Sequence, residues 1–81
     1  MKFLKFNDGG DIIYLIAYLV YKFEPQDDGE ISIYTDSPDN SAHSIYYCSA
    51  EELIKHIYAN DEFEIIDCIR PDGPKVVASK K

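Results

Sequence analysis

A twelve-residue apolar run, IIYLIAYLVYKF at residues 12–23, leaves this chain few ways to fold. Its only charged residue is Lys22, and the run is shorter than the roughly 20 apolar residues that a bilayer-spanning helix needs. We therefore expect it to lie in a protein core. Its β-branched and aromatic residues favour a strand, and turn-forming residues flank it at 7–10 and 24–29. The run predicts one long central strand.

The same run also has a helical interpretation, because Tyr14, Tyr18 and Tyr21 follow the i, i+4, i+7 spacing of one helix face. Such a helix would be apolar on nearly every side, and a chain of 81 residues is too small to surround it. In a strand, alternate side chains point to opposite faces. We expect the core to receive Ile13, Leu15, Ala17, Leu19, Tyr21 and Phe23. We expect solvent or a partner to meet Tyr14, Ile16, Tyr18, Val20 and Lys22.

Shorter patterns predict the other strands. Residues 1–6 contain two lysines, which are common on exposed sheet edges, and predict an edge strand. Residues 30–35 alternate clearly, with Ile31 and Ile33 inward and Tyr34 outward. The polar residues 36–44 predict a loop. Further strands are expected at 44–48, 63–69 and 75–77.

The clearest helix signal begins at Ser49, which can cap the first turn while Glu52 occupies the third helical position. Asn60 is expected to end this helix. The apolar side is expected to contain Ala50, Leu53, Ile54, Ile57 and Tyr58. On the polar side, the i, i+4 spacing pairs Glu51 with Lys55 and Glu52 with His56, which we expect to be solvated.

These elements predict an α+β fold of one domain, residues 1–81, in the order β-β-β-β-α-β. One antiparallel sheet would carry one main helix on one face. A helical run at 12–23 would instead give β-α-β-β-α-β, the ferredoxin-like order. In the first arrangement the second sheet face stays uncovered, and exposed aromatic faces commonly bind partners. The tyrosines that we expect there are Tyr14, Tyr18, Tyr34 and Tyr46.

The charge distribution narrows the class of partner. The net charge is −7, and residues 23–54 contain no lysine or arginine. This pattern disfavours direct binding to nucleic acid or to an anionic membrane, both of which need basic residues. It favours a basic protein partner, because long-range attraction speeds their encounter. The acidic residues that we expect to contact it are Asp27, Asp28, Glu30, Asp36 and Asp39.

No catalytic or metal-binding pattern is present. Cys48 and Cys68 each lie in a strand-like run and are expected to be buried thiols. Together with His43 and His56 they show no close metal-ligand spacing. The loop around His43 contains serines and aspartates, but it lacks a nucleophile-elbow motif. We therefore expect no enzyme activity, no metal site and no cofactor.

These features predict a small acidic protein that binds and occludes a basic protein partner, such as a nucleic-acid-binding complex. In size and charge the chain resembles small acidic phage inhibitors of the anti-CRISPR and anti-restriction kinds. The alternative is a structural or regulatory subunit that forms a homodimer, or a larger assembly, through a tyrosine-rich sheet face. A cytoplasmic location is expected, because the chain does not open with a signal-peptide pattern.

Overall fold

A computed structural model of the protein describes residues 1–36 and 42–70 and confirms the α+β class. Within these ranges the chain forms six strands and one α-helix, in the order β-β-β-β-β-α-β. The strands are β1 (Lys2–Asp8), β2 (Asp11–Ile16), β3 (Val20–Pro25), β4 (Glu30–Thr35), β5 (Ala42–Tyr46) and β6 (Glu64–Asp67). The helix α1 spans Ala50–Ile57, and short 3₁₀ turns occupy Ala17–Leu19 and Asp27–Gly29.

The strands form two three-stranded sheets, where the sequence predicted one. The first sheet has the order β2-β1-β6 and the second has the order β3-β4-β5. β1 pairs antiparallel with β2 and parallel with β6. The N-terminal strand therefore lies in the centre of its sheet, and its assignment to an edge was wrong.

The apolar run at 12–23 is not one strand, because the 3₁₀ turn Ala17–Leu19 divides it between the two sheets. The ferredoxin-like alternative is also wrong, since the run contains no α-helix. The turn changes which alternate residues face inward: Ala17 and Val20 are buried, whereas Tyr21 is exposed. A bulge between Val20 and Lys22 adds to this change. The division lets the twelve-residue run contribute to both sheets, whereas one strand of that length would extend about 40 Å.

The core lies between the inner faces of the two sheets and is closed by α1. Its buried members are Leu4, Phe6, Ala17, Val20, Ile31, Ile33, Ile45, Leu53, Ile57, Ile66 and Cys68. The predicted inward orientation of Ile31 and Ile33 is confirmed. Backbone hydrogen bonds at Cys68 join the sheets, since its N–H donates to the Lys5 carbonyl at 2.8 Å and its carbonyl accepts from the Tyr46 N–H at 3.0 Å.

Two local predictions are confirmed at the ends of elements. Gly9 and Gly10 form a two-residue hairpin turn with φ of 64° and 97°, which explains the need for glycine at both positions. Ser49 caps α1, and its hydroxyl oxygen accepts a hydrogen bond from the Glu52 N–H at 3.0 Å. The helix buries Leu53 and Ile57, and Lys55 lies 3.6 Å from Glu51 as the spacing predicted.

Other local predictions were wrong. β5 begins at Ala42, so the last part of the predicted 36–44 loop is strand. Ile54 and Tyr58 are exposed rather than buried by the helix. Asn60 does not cap α1; its carbonyl and side-chain oxygens accept hydrogen bonds from the Lys2 ammonium at 3.0 and 2.8 Å. The predicted strand at 75–77 lies outside the described residues, as does Asp39.

The first side chain of β1 is a fully buried lysine. Lys2 points inward with Leu4 and Phe6, and its ammonium donates to two oxygens of Asn60 and to the Glu62 carbonyl at 3.2 Å. All three ammonium protons therefore have acceptors, which a buried cation requires. The Met1 amino group donates to the neighbouring Asp61 carbonyl at 2.7 Å, so β1 anchors the chain that leads into β6.

Candidate partner-binding surfaces

The four tyrosines expected on one uncovered face lie in three places. Tyr14 is on the outer face of the first sheet, in register with Lys5. Tyr18 is in the 3₁₀ turn, where its ring lies 5.4 Å from the Tyr58 ring and its hydroxyl donates to the Ile57 carbonyl at 3.5 Å. Tyr34 and Tyr46 belong to the second sheet. The structure therefore separates Tyr14 and Tyr18 from the other two.

The outer face of the second sheet is polar and internally hydrogen-bonded. The Tyr34 hydroxyl donates to the Glu24 carboxylate at 2.9 Å. This hydrogen bond, with the negative charge of Glu24, raises the pKa of Tyr34 above its ordinary value. The Lys22 ammonium lies 4.8 Å from the centre of the Tyr34 ring. On the neighbouring strand the Ser44 hydroxyl donates to Glu30 at 2.8 Å. These contacts hold the carboxylates in fixed positions along the sheet.

The turn between β3 and β4 brings carboxylates to one end of this sheet. Asp27 and Asp28 are exposed in the turn, and Asp28 adopts a left-handed conformation with φ of 60°, which aspartate tolerates better than most residues. The Tyr47 N–H donates to the Gly29 carbonyl at 3.1 Å and ties the turn to the end of β5. Three predicted acidic residues, Asp27, Asp28 and Glu30, are thus close neighbours, whereas Asp36 follows the opposite end of β4.

A cleft of about 410 Å³ lies beside this turn, and we call it the acidic cleft. Its lining residues are Asp28, Gly29, Tyr46, Tyr47, Cys48, Asp67 and Ile69. Two aspartates and two tyrosines therefore line one concave surface. Arg70 contacts Tyr46 from an adjoining cleft, with its guanidinium 5.6 Å from the ring centre. The Tyr46 ring thus already binds one cation within the chain.

Neither Asp67 in the acidic cleft nor Arg70 beside it was predicted from the sequence. Asp67 ends β6 and Arg70 follows it, and both lie beside β5 because the backbone at Cys68 bonds to both β1 and β5. The Asp67 side chain also accepts a hydrogen bond from the Ile69 N–H at 3.1 Å, which shapes this stretch. No local pattern in residues 64–70 indicates that pairing, so the signal was not available from the sequence.

The outer face of the first sheet is rich in exposed aromatic and aliphatic side chains, and we call it the apolar face. Its members are Phe3, Ile12, Tyr14, Ile16, Phe63 and Ile65. Phe3 lies in register with both Ile16 and Ile65, and its ring meets the Phe63 ring edge-on at 5.9 Å. Of these residues, only Tyr14 and Ile16 were predicted from the sequence to lie on an exposed face.

His56 connects three elements rather than facing solvent as predicted. The Tyr47 hydroxyl lies 2.8 Å from His56 Nδ1, and His56 Nε2 lies 2.8 Å from the Glu64 carboxylate. A neutral ring protonated at Nε2 satisfies both contacts, because it donates to Glu64 and accepts from Tyr47. Burial raises the pKa of Tyr47, which keeps its hydroxyl protonated as that donor. The network joins the end of β5 to α1 and β6.

The remaining titratable groups differ in exposure. His43 lies on β5, where its Nδ1 is 3.4 Å from the Asp8 carboxylate. Both cysteines are free; Cys68 is buried as expected, but Cys48 is exposed, so its predicted burial was wrong. Burial raises the pKa of the Cys68 thiol to about 12, which keeps it protonated and unreactive.

Three further findings concern metal binding, membranes and similarity to known proteins. Over residues 1–36 and 42–70, no group of three or more histidine, cysteine, aspartate or glutamate side chains is arranged to hold a metal ion. In the same ranges, α1 is far too short to cross a membrane, and no other α-helix is present. Comparison of the chain with protein-family models, with curated proteins and with solved structures finds no match.

Proposed function

We propose that this is a non-catalytic binding protein whose acidic cleft receives basic side chains of a protein partner. The observation that carries the proposal is the lining of the cleft, which Asp28 and Asp67 share with Tyr46 and Tyr47. Carboxylates accept charge-assisted hydrogen bonds from arginine and lysine. The two tyrosine side chains add rigid contact area.

The charge around the cleft supports the same type of partner. Exposed Asp27 and half-buried Glu30 adjoin it, and residues 23–54 contain no lysine or arginine. A protein of net charge −7 attracts a basic partner over roughly the 8 Å Debye length of physiological salt. A nucleic-acid-binding protein is a suitable partner of this kind, because its basic surface is complementary to spaced negative charges. Occupying that surface would block its access to phosphates.

A matched pair of triple variants tests the acidic cleft. The cleft variant carries Asp27→Asn, Asp28→Asn and Glu30→Gln, which remove charge while keeping shape; asparagine also tolerates the left-handed conformation at position 28. The control carries Asp11→Asn, Asp61→Asn and Glu62→Gln at exposed positions outside the cleft lining. Each variant changes the net charge from −7 to −4.

The probe is a fluorescently labelled arginine-rich peptide, titrated at low and high salt. At about 0.5 kcal/mol per surface charge, the cleft variant should bind about tenfold more weakly at low salt. The control should stay within about twofold of the parent protein, and the difference should shrink as salt rises. Equal losses in both variants would show binding to overall charge and would refute the proposal, as would undiminished binding by the cleft variant.

A further inference from the structure

The most exposed residues of the apolar face lie on or beside its two edge strands, β2 and β6, and flank the half-buried Phe3 of central β1. Phe63 is 70% exposed, Tyr14 53%, Ile65 46% and Ile12 45%. Because a fully buried aromatic side chain covers about 200 Å², Tyr14 and Phe63 alone leave about 250 Å² of surface uncovered. With the two isoleucines the face reaches the few hundred Å² at which exposed apolar patches on single chains become uncommon.

The charge on this face differs from that of the rest of the protein. Among the described residues of the face, the charged groups are Lys5 and Asp67, which lie side by side where β1 pairs with β6. The face is therefore locally neutral on a chain of net charge −7. A basic partner gains no electrostatic attraction there, so the face suits a neutral apolar surface of similar size.

We infer that the apolar face binds the same face of a second copy, forming a two-fold symmetric dimer. Such a pairing is isologous, so each side offers the other an identical patch. Lys5 of one copy can then approach Asp67 of the other around the axis. Two such faces bury about 800 Å² in total, which is below the size of most stable interfaces and fits a weak, transient pairing. A weak dimer, with a dissociation constant in the micromolar range, is expected.

Salt should act on this dimer in the direction opposite to its effect on the acidic cleft. Two copies that each carry −7 repel one another outside the neutral interface, and salt screens that repulsion. Dimerisation should therefore strengthen as salt rises, whereas peptide binding at the cleft should weaken. Asp67 belongs to both surfaces, but none of the variants changes it. The two proposals therefore fail separately, because each has its own probe and its own salt dependence.

Sedimentation equilibrium of the full chain tests the dimer at about 50 and about 500 mM NaCl. The parent protein should approach twice its 9.3 kDa mass at high protein concentration, and more readily at the higher salt. Phe63→Ser, at a highly exposed position outside the strands, should raise the dissociation constant at least tenfold. Tyr14→Ser should do the same from the other side of the face.

The matched control is Tyr21→Ser, since Tyr21 is also highly exposed but lies on β3 in the other sheet. It should leave the dissociation constant within about twofold of the parent value. Circular dichroism melting of each variant verifies that the fold is retained. A parent protein that stays monomeric at several hundred micromolar overturns the inference, and so does a dimer that Phe63→Ser leaves intact.

Discussion

Replacing the buried lysine of β1 tests whether one cation holds the start of the first sheet to the chain entering β6. In Lys2→Met, the side chain keeps its approximate length and loses its charge and all three donors. The lost contacts are two to Asn60 and one to Glu62, at 2.8–3.2 Å. These hydrogen bonds join residues that are about 60 positions apart in sequence, so losing them weakens a long-range contact within the fold.

The expected loss of stability depends on whether water can hydrogen-bond to the acceptor oxygens that Lys2 leaves free. A hydrogen bond to a charged group contributes about 1.5–3 kcal/mol. Asn60 and Glu62 are exposed residues, so water can satisfy their oxygens in the variant, and the Asn60 side chain keeps its bond from the Glu62 N–H at 2.9 Å. Methionine also avoids the cost of burying an ammonium group. We therefore expect a net loss of about 2 kcal/mol, which is a decrease of about 8–16 °C in melting temperature.

Thermal and urea unfolding, followed by circular dichroism, measure this loss. The matched control is Lys5→Met, because Lys5 lies on the same strand but faces outward, and a surface change is expected to stay within about 0.5 kcal/mol. A Lys2→Met variant that melts within about 2 °C of the parent protein would refute the anchoring role. Equal destabilisation by both variants would show that lysine in β1 matters for some reason other than its contacts with Asn60.

Four further predictions concern the two thiols, the helix cap and the turn at Gly29. One thiol per native chain, that of exposed Cys48, should react with a disulfide reagent at pH 8, and both should react in urea. Because burial raises the Cys68 pKa from 9 to about 12, the unfolded chain loses this proton first as pH rises. Stability should therefore decrease between about pH 9 and pH 12, by up to about 1.4 kcal/mol per pH unit, and Cys68→Val should remove that contribution. Ser49→Ala should cost about 1 kcal/mol in urea unfolding through loss of the helix cap. Gly29→Ala should cost about 1–2 kcal/mol, because φ is +81° there and the added Cβ would lie 3.3 Å from the Tyr47 carbonyl oxygen; an unchanged urea midpoint in either variant would contradict these assignments.

Local chemistry was enough to predict several elements correctly. The alternation that buries Ile31 and Ile33, the Gly9-Gly10 turn and the Ser49 cap each depend on residues within a few positions of one another. Such features were readable because backbone conformation and hydrogen bonding over one turn follow directly from residue type. The same holds for the overall α+β class, which depends on the number and type of elements.

The sequence by itself thus determined that most of the chain is extended, where the first hairpin turn and the capped helix lie, and that the molecule is acidic. Only the tertiary structure decided which side chains share a surface. Tyr14 and Tyr34 belong to different sheets because a turn at Ala17 divides the apolar run. Asp67 lines the same cleft as Asp28 because the backbone at Cys68 bonds to two distant strands. Lys2 is buried because its acceptors come from residues 60–62. Pairing between remote segments is set by how the whole core packs, which short sequence patterns do not encode.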